Sequence, residues 1–196
     1  MMERAGAVMS GHELYRRSQD GCVRIEKMKL LVGLGNPGEA HVGNRHNVGF
    51  VVVDRLAGEG AEWEPKFEAL ILKAKDYLLV KPQMFMNRSG EVVAKIANFY
   101  KVTIDDLVVI HDDLDIRLGE YKIQKGVGPK VHNGLTSVEE RLGTANFWRL
   151  RVGVDNRPAG QARVPGDEYV LSDFTAEEKE ISDGVIEKAV KELERR

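Results

Sequence analysis

One cysteine in 196 residues, Cys22, leaves no partner for an intrachain disulfide and no multi-cysteine metal site. That usage fits a reducing cytoplasm, which is the expected setting. No apolar run approaches the ~20 residues needed to cross a bilayer, so no membrane association is expected. Charge of one sign is also missing. With 29 Lys and Arg against 31 Asp and Glu, the formal net charge is -2, and no global basicity marks a nucleic-acid partner. The chain has no Gly-x-Ser-x-Gly, and Ser89 sits in a plain helix start, which argues against a serine nucleophile. Residues 1–27 lack both a sustained period and the apolar core of a signal peptide. They read as an upstream extension, either disordered or a vector scar or alternative start, ahead of one domain over 28–196.

What is present concentrates first in residues 30–50, LLVGLGNPGEAHVGNRHNVGF. A short apolar strand enters a glycine-rich turn, and His46 follows, flanked by Arg45 and Asn47. Gly33-Leu-Gly35-Asn-Pro-Gly38 satisfies the dinucleotide pattern GxGxxG in letters only. That fingerprint needs its third glycine inside a helix and an acidic residue about 20 positions on. Here Pro37 and Gly38 lead into a polar stretch, and Asp54 stands too close, within the next helix. A nicotinamide oxidoreductase is therefore disfavoured. The glycines instead shape a turn that presents Asn36, with a loop presenting His46.

Periodicity predicts a buried strand at 29–33 and an amphipathic helix at 47–57, with Val48, Val51, Val52 and Leu56 on its apolar face. A β-hairpin is predicted from 67–73 and 77–81. A helix at 89–100 carries the stripe Val92, Val93, Ile96 and Phe99. Residues 107–110 form a fully buried strand ending in His111-Asp112-Asp113, and 120–124 is a further strand. A glycine loop at 126–132 precedes a helix at 133–142, and 148–154 alternates like a strand with one wet face. From Thr175, a Thr-x-x-Glu178 capping box opens a terminal helix with Ile181, Val185, Ala189 and Leu193 one turn apart. Strands alternating with helices indicate the α/β class with a parallel or mixed sheet. Charge is local rather than global. Lys122, Lys125, Lys130, Arg141, Arg149, Arg151, Arg157 and Arg163 face only Glu139, Glu140 and Asp155 in the stretch 121–165. Such a zone docks a phosphate backbone or is merely a solvated face; the letters weigh both equally.

In an open α/β sheet, ligands bind beyond the carboxyl ends of the strands. Asn36, His46, Asn87, Asp112 and Asn133 all follow apolar runs or glycine turns near that edge. Alternation places Asp112 on the side of Val108 and Ile110, so its carboxylate emerges from an apolar wall and needs a partner. A histidine would serve: the carboxylate orients one ring nitrogen and leaves the other to take a proton from water. A metal held by His111, Asp112, Asp113 and Asp115 is disfavoured, because adjacent strand residues point to opposite faces.

In order, GLGNPG, RHNVGF, KPQMFMNRSG, HDDLD, HNGL, FWRLRVGV and YVLSDF resemble the bacterial-type peptidyl-tRNA hydrolase family, from Met28 to about Phe174. The resemblance implies a single α/β domain with a twisted mixed sheet between helices, in three layers. It implies an esterase that frees peptide from the tRNA 3′-terminal ribose without metal or organic cofactor. The enzyme would be a monomer with no obligate protein partner. By motif position, His46 is the base and Asp112 its carboxylate partner. Asn36, Asn87, Asn133 and Asn47 hold substrate or water, Phe85 and Met86 line the cleft, and Lys122 and Arg151 meet tRNA phosphates. The alternative is a non-catalytic RNA-docking relative. Three departures stand out: His41 replaces a usual Tyr, Asn44 a usual Thr, and Gly126-Val-Gly-Pro-Lys-Val131 a glycine-rich loop. Pro129 and the loss of glycines stiffen that last loop.

Overall fold

The computed structural model describes residues 28–74, 76–158 and 164–196, and the backbone of two short paired strands, β1 (Tyr15–Arg17) and β2 (Val23–Ile25). The rest of the extension 1–27, and Arg163 of the basic zone, lie outside the described residues.

The apolar run Lys29–Gly33 forms β3, the centre of a seven-stranded sheet. Its neighbours are β6 (Tyr77–Pro82) and β7 (Leu107–Arg117), both parallel to it. Outward from β6 come the antiparallel strands β5 (Ala69–Lys73) and β4 (Glu64–Lys66). Beyond β7 lie β9 (Trp148–Asp155), parallel, and β8 (Tyr121–Lys125), antiparallel. The order is β4-β5-β6-β3-β7-β9-β8. Helices α2 (Ser89–Phe99) and α3 (Asn133–Leu142) cover one face, while α1 (Val48–Ala57) and α5 (Ala176–Glu194) cover the other. Each face has its own apolar cluster, the first around Leu30, Val32, Val93 and Ile96, the second around Leu31, Val52, Ile110 and Ile186. The expected single three-layer α/β domain with a mixed sheet is the observed architecture. No helix of the described residues is long and apolar enough to cross a membrane.

Two glycines decide how α1 meets the sheet. A Cβ on Gly33 would lie 2.3 Å from Gly49 O, and one on Gly49 would lie 2.5 Å from Ile110 O. Helix and strands touch backbone to backbone there, which brings the residues just before α1 over the end of β3.

Several local expectations need correction. Strand β5 starts at Ala69, because Phe67 and Glu68 adopt positive φ in a tight turn back to β4, a strand that the pattern concealed. Strand β7 does not stop at Ile110. Parallel β9 continues beside it through Asp113, and the charges that looked like a terminus have partners. The wet face expected on β9 is covered, since Arg149 and Arg151 are buried and ion-paired. On α1, Val53 is in the core while Val51 and Leu56 are half-buried. On α5 the capping box is present, but Ile181 is 49% exposed; Ser182, Val185, Ile186 and Ala189 face inward instead. A short helix, α4 (Gly166–Val170), was not expected.

Candidate active site

The candidate site residues converge where β3 ends and turns away. Leu34 N–H to Ile110 O is the last bond of the β3–β7 ladder. Past it the chain forms the Asn36-Pro37-Gly38 turn, then a 3-10 turn over Arg45–Asn47 that leads into α1. Within that turn His46 is buried, and its Nδ1 lies 2.7 Å from Asp112 Oδ1 on β7. His46 Nε2 has no protein partner among the described residues and is not sealed from solvent. Asp112 is nearly fully enclosed. Burial by itself would raise its carboxyl pKa. The histidines facing it, His46 and His132, outweigh that and hold it far below the usual carboxylate range. Asp112 is thus an ionised acceptor throughout any working pH.

His132 is the site residue that sequence reasoning missed. Its Nε2 lies 3.1 Å from the same Asp112 Oδ1, and its ring centroid 4.9 Å from that of His46. It occupies the N-cap of α3, where its Nδ1 accepts from Gly134 N–H at 3.1 Å and Leu135 N–H at 3.3 Å. An N-cap is normally Ser, Thr, Asp or Asn, so histidine at that position was the available signal. The cap also settles the ring's proton. Nδ1, as acceptor, carries none, so Nε2–H donates to Asp112.

That proton placement bears on metal binding. Among the described residues, ligand atoms of His46, Asp112 and His132 lie within 4.8 Å of one another. A metal on His132 Nε2 would require the ring proton on Nδ1, where two backbone amides already point. The donor set therefore suits hydrogen bonding rather than a cation. The His111–Asp115 run offers nothing better, as Asp113 is taken by Arg151 at 2.7 Å.

The asparagines divide into two kinds. Asn36 N–H donates to Asn47 Oδ1 at 2.8 Å, and Asn47 Nδ2 donates back to Asn36 O at 2.9 Å. Asn47 is buried and uses both ends of its amide on the turn, so it positions Asn36 rather than reaching a ligand. Met86 N–H donates to Asn36 Oδ1 at 2.9 Å, which leaves the Asn36 Nδ2 amide without a protein partner among the described residues. Asn87 and Asn133 are exposed, their amides likewise unpartnered among the described residues. Met86 is buried, and Phe85 beside it is 66% exposed.

The basic residues depart from expectation. Arg151 is buried, donating to Asp113 at 2.7 Å and to Gln124 at 2.8 Å, so its charge is already compensated. Arg149 pairs with Glu139 at 2.9 Å, and burial lowers the pKa of its guanidinium. Lys122, the neighbour of Arg151 across the β8–β9 ladder, is exposed and makes no ion pair among the described residues. Lys130 N–H donates to Asp115 Oδ2 at 3.1 Å, which pins the stiff loop before His132.

Arg45 was also left unassigned by the sequence. It is buried, ion-paired with Glu178 at the start of α5, and stacked 4.1 Å from the Tyr169 ring. It also donates to Ser172 Oγ at 2.7 Å, while Asn44 Nδ2 donates to Asp173 at 2.7 Å. The YVLSDF segment therefore acts as a clamp on the turn that carries His46.

The family model described as peptidyl-tRNA hydrolase matches residues 30–195. A peptidyl-tRNA hydrolase of Desulfitobacterium hafniense is 40% identical over 170 residues, covering 84% of this chain and 90% of that one. One of Thermus thermophilus is 42% identical over 162 residues, covering 83% and 85%. The crystal structure of the peptidyl-tRNA hydrolase of Acinetobacter baumannii superposes with a TM-score of 0.77 at 32% identity, covering 87% of this chain and 89% of that one.

Proposed function

The chain belongs to the peptidyl-tRNA hydrolase family, and on that premise we propose that it hydrolyses the ester between a peptide and the tRNA 3′-terminal ribose with His46 as general base. His46 Nε2 takes a proton from water as the water oxygen bonds to the ester carbonyl carbon. The imidazolium so formed is held by Asp112 through Nδ1–H. When the tetrahedral intermediate collapses, the bond to the ribose oxygen breaks and His46 returns the proton to that oxygen. An ester leaving group is good enough that one base suffices without a covalent enzyme intermediate. The Asn36 amide, fixed by Met86 and Asn47, donates to the developing oxyanion or holds the attacking water. Asn87 and Asn133 contact the substrate along the rim, and Phe85 with Met86 accepts the peptide part.

The observation that carries this reading is the 2.7 Å pairing of His46 Nδ1 with an enclosed, ionised Asp112, with Nε2 open. The docking-module alternative is not favoured, since that pair has no role in passive binding. Lys122 is the phosphate contact that the geometry supports, with Arg151 bracing the strand behind it. The enzyme acts as a cytoplasmic monomer in this reading. Release of labelled tRNA from N-blocked aminoacyl-tRNA, set against the unblocked form, tests it. His46→Ala should fold normally and lose ~10² or more in rate, the usual scale of general-base removal. A purified His46→Ala enzyme with near-wild-type turnover would overturn the assignment.

A further inference from the structure

Where β3 leaves the sheet, β7 loses its partner on that side. Ile110 O still receives Leu34 N–H. Two residues on, the carbonyl of Asp112 points the same way with no strand to meet it. A buried carbonyl left unpaired is costly, and here it belongs to the backbone of the catalytic carboxylate. The side chain of the preceding residue fills the gap: His111 Nδ1 lies 2.7 Å from Asp112 O, so Nδ1–H donates to it. His111 is fully buried, and its ring meets that of His132 edge to face, 5.0 Å between centroids at 77°. Its Nε2 has no partner among the described residues.

We propose that His111 is a positioning residue: it stands in for the missing strand beneath Asp112 and buttresses His132, so that both hydrogen bonds to Asp112 Oδ1 stay in line. Leucine or phenylalanine would fill the volume but offer no donor, which is why a histidine occupies a dry strand interior. The groups that face it are the Asp112 backbone, His132 from the turn before α3, and Arg149 and Arg151 from β9. Burial above all, and then His132, push its pKa well below the usual histidine range, so it stays neutral and adds no titration of its own. His46 is faced by Asp112 and His132, and its neighbour Arg45 is neutralised by Glu178.

This inference rests on His46 being the base, and the experiment separates the two. His111→Leu removes the donor, whereas His111→Asn places an amide N–H near the former Nδ1. Both are compared with wild type and His46→Ala by single-turnover release from N-acetyl-aminoacyl-tRNA, with pH profiles and melting temperatures. His111→Leu should lower kcat roughly tenfold with little change in KM, the scale of one lost hydrogen bond acting through the carboxylate it positions. Its acidic limb in kcat/KM should move to lower pH, because a misaligned Asp112 supports the His46 imidazolium less. His111→Asn should restore most of both. If His46→Ala is inactive while His111→Leu keeps wild-type kcat and limb, the inference fails alone. It fails equally if Asn and Leu are alike in rate and limb at folded-state melting temperatures. Should His111→Leu not fold, failure of His111→Asn to keep the wild-type limb would overturn it.

Discussion

Asp112→Asn isolates the electrostatic part of the mechanism. The substitution keeps an oxygen where Oδ1 accepts from both histidines, but removes the charge that stabilises the imidazolium formed on His46. With 2.7 Å between Nδ1 and Oδ1, the charge centres lie about 4 Å apart. At an effective dielectric constant of ~20, that contact is worth about 4 kcal/mol. The amide dipole retains a fraction, so about 3 kcal/mol is lost, or ~10² in kcat. The interaction grows only as the proton arrives, so KM should change little. Stability should hold, because the amide oxygen still accepts from both rings and no buried carboxylate is left unpaired. The acidic limb of kcat/KM should move to lower pH, since the imidazolium has lost its counter-charge, while the plateau falls. Single-turnover release of labelled tRNA across pH 5 to 9 reads all of this. An Asp112→Asn enzyme with wild-type kcat and an unmoved limb would refute the pairing as catalytic and reduce it to a packing contact.

Three further outcomes follow from particular contacts. A Cβ on Gly90 would sit 2.0 Å from Ser137 O, where α2 crosses α3, so Gly90→Ala should destabilise by about 2 kcal/mol despite its helix propensity. That corresponds to roughly 4–8 °C in a melting scan, and an unchanged Tm would contradict the close crossing. Lys122→Ala should raise KM for full-length substrate but not for a terminal-nucleotide mimic. It should also flatten the log K against log salt slope by roughly 0.7–0.9; an unchanged slope would remove Lys122 from the phosphate path. Glu178 has its carboxyl pKa lowered: burial opposes the shift, but bonds from Thr175, Asn156 and Arg45 prevail. A depressed carboxyl adds stability that is present above its unfolded pKa, ~4.3, and lost as pH falls through the folded value. Glu178→Gln should therefore flatten the decline of urea stability below about pH 5. A variant that parallels the wild type over that range would count against the pair.

The one-dimensional pattern already contained what depends on nearest neighbours along the chain. The spacing of Val92, Val93 and Ile96 specified α2, because a helix repeats its face every three or four residues whatever it packs against. Thr175 and Glu178 specified the start of α5 for the same local reason, since a capping box closes within four residues. His46 and Asp112 were legible as an acid–base pair by residue type and motif. What stayed hidden depends on groups far apart in sequence. Ile181 and Ser182 are equally plausible on a helical wheel, and only the seat of α5 on the sheet turned one of them out. Arg149 and Arg151 read as a wet stripe until Glu139 and Asp113 arrived from α3 and β7 to bury them. The Asn36 side-chain oxygen found its donor only when Met86, fifty residues on, came alongside. His132 entered the site because α3 needs a cap at the point where Asp112 needs a second donor. Backbone periodicity is a local property, whereas desolvation and hydrogen-bond supply belong to whatever the fold brings alongside, so those were settled in three dimensions.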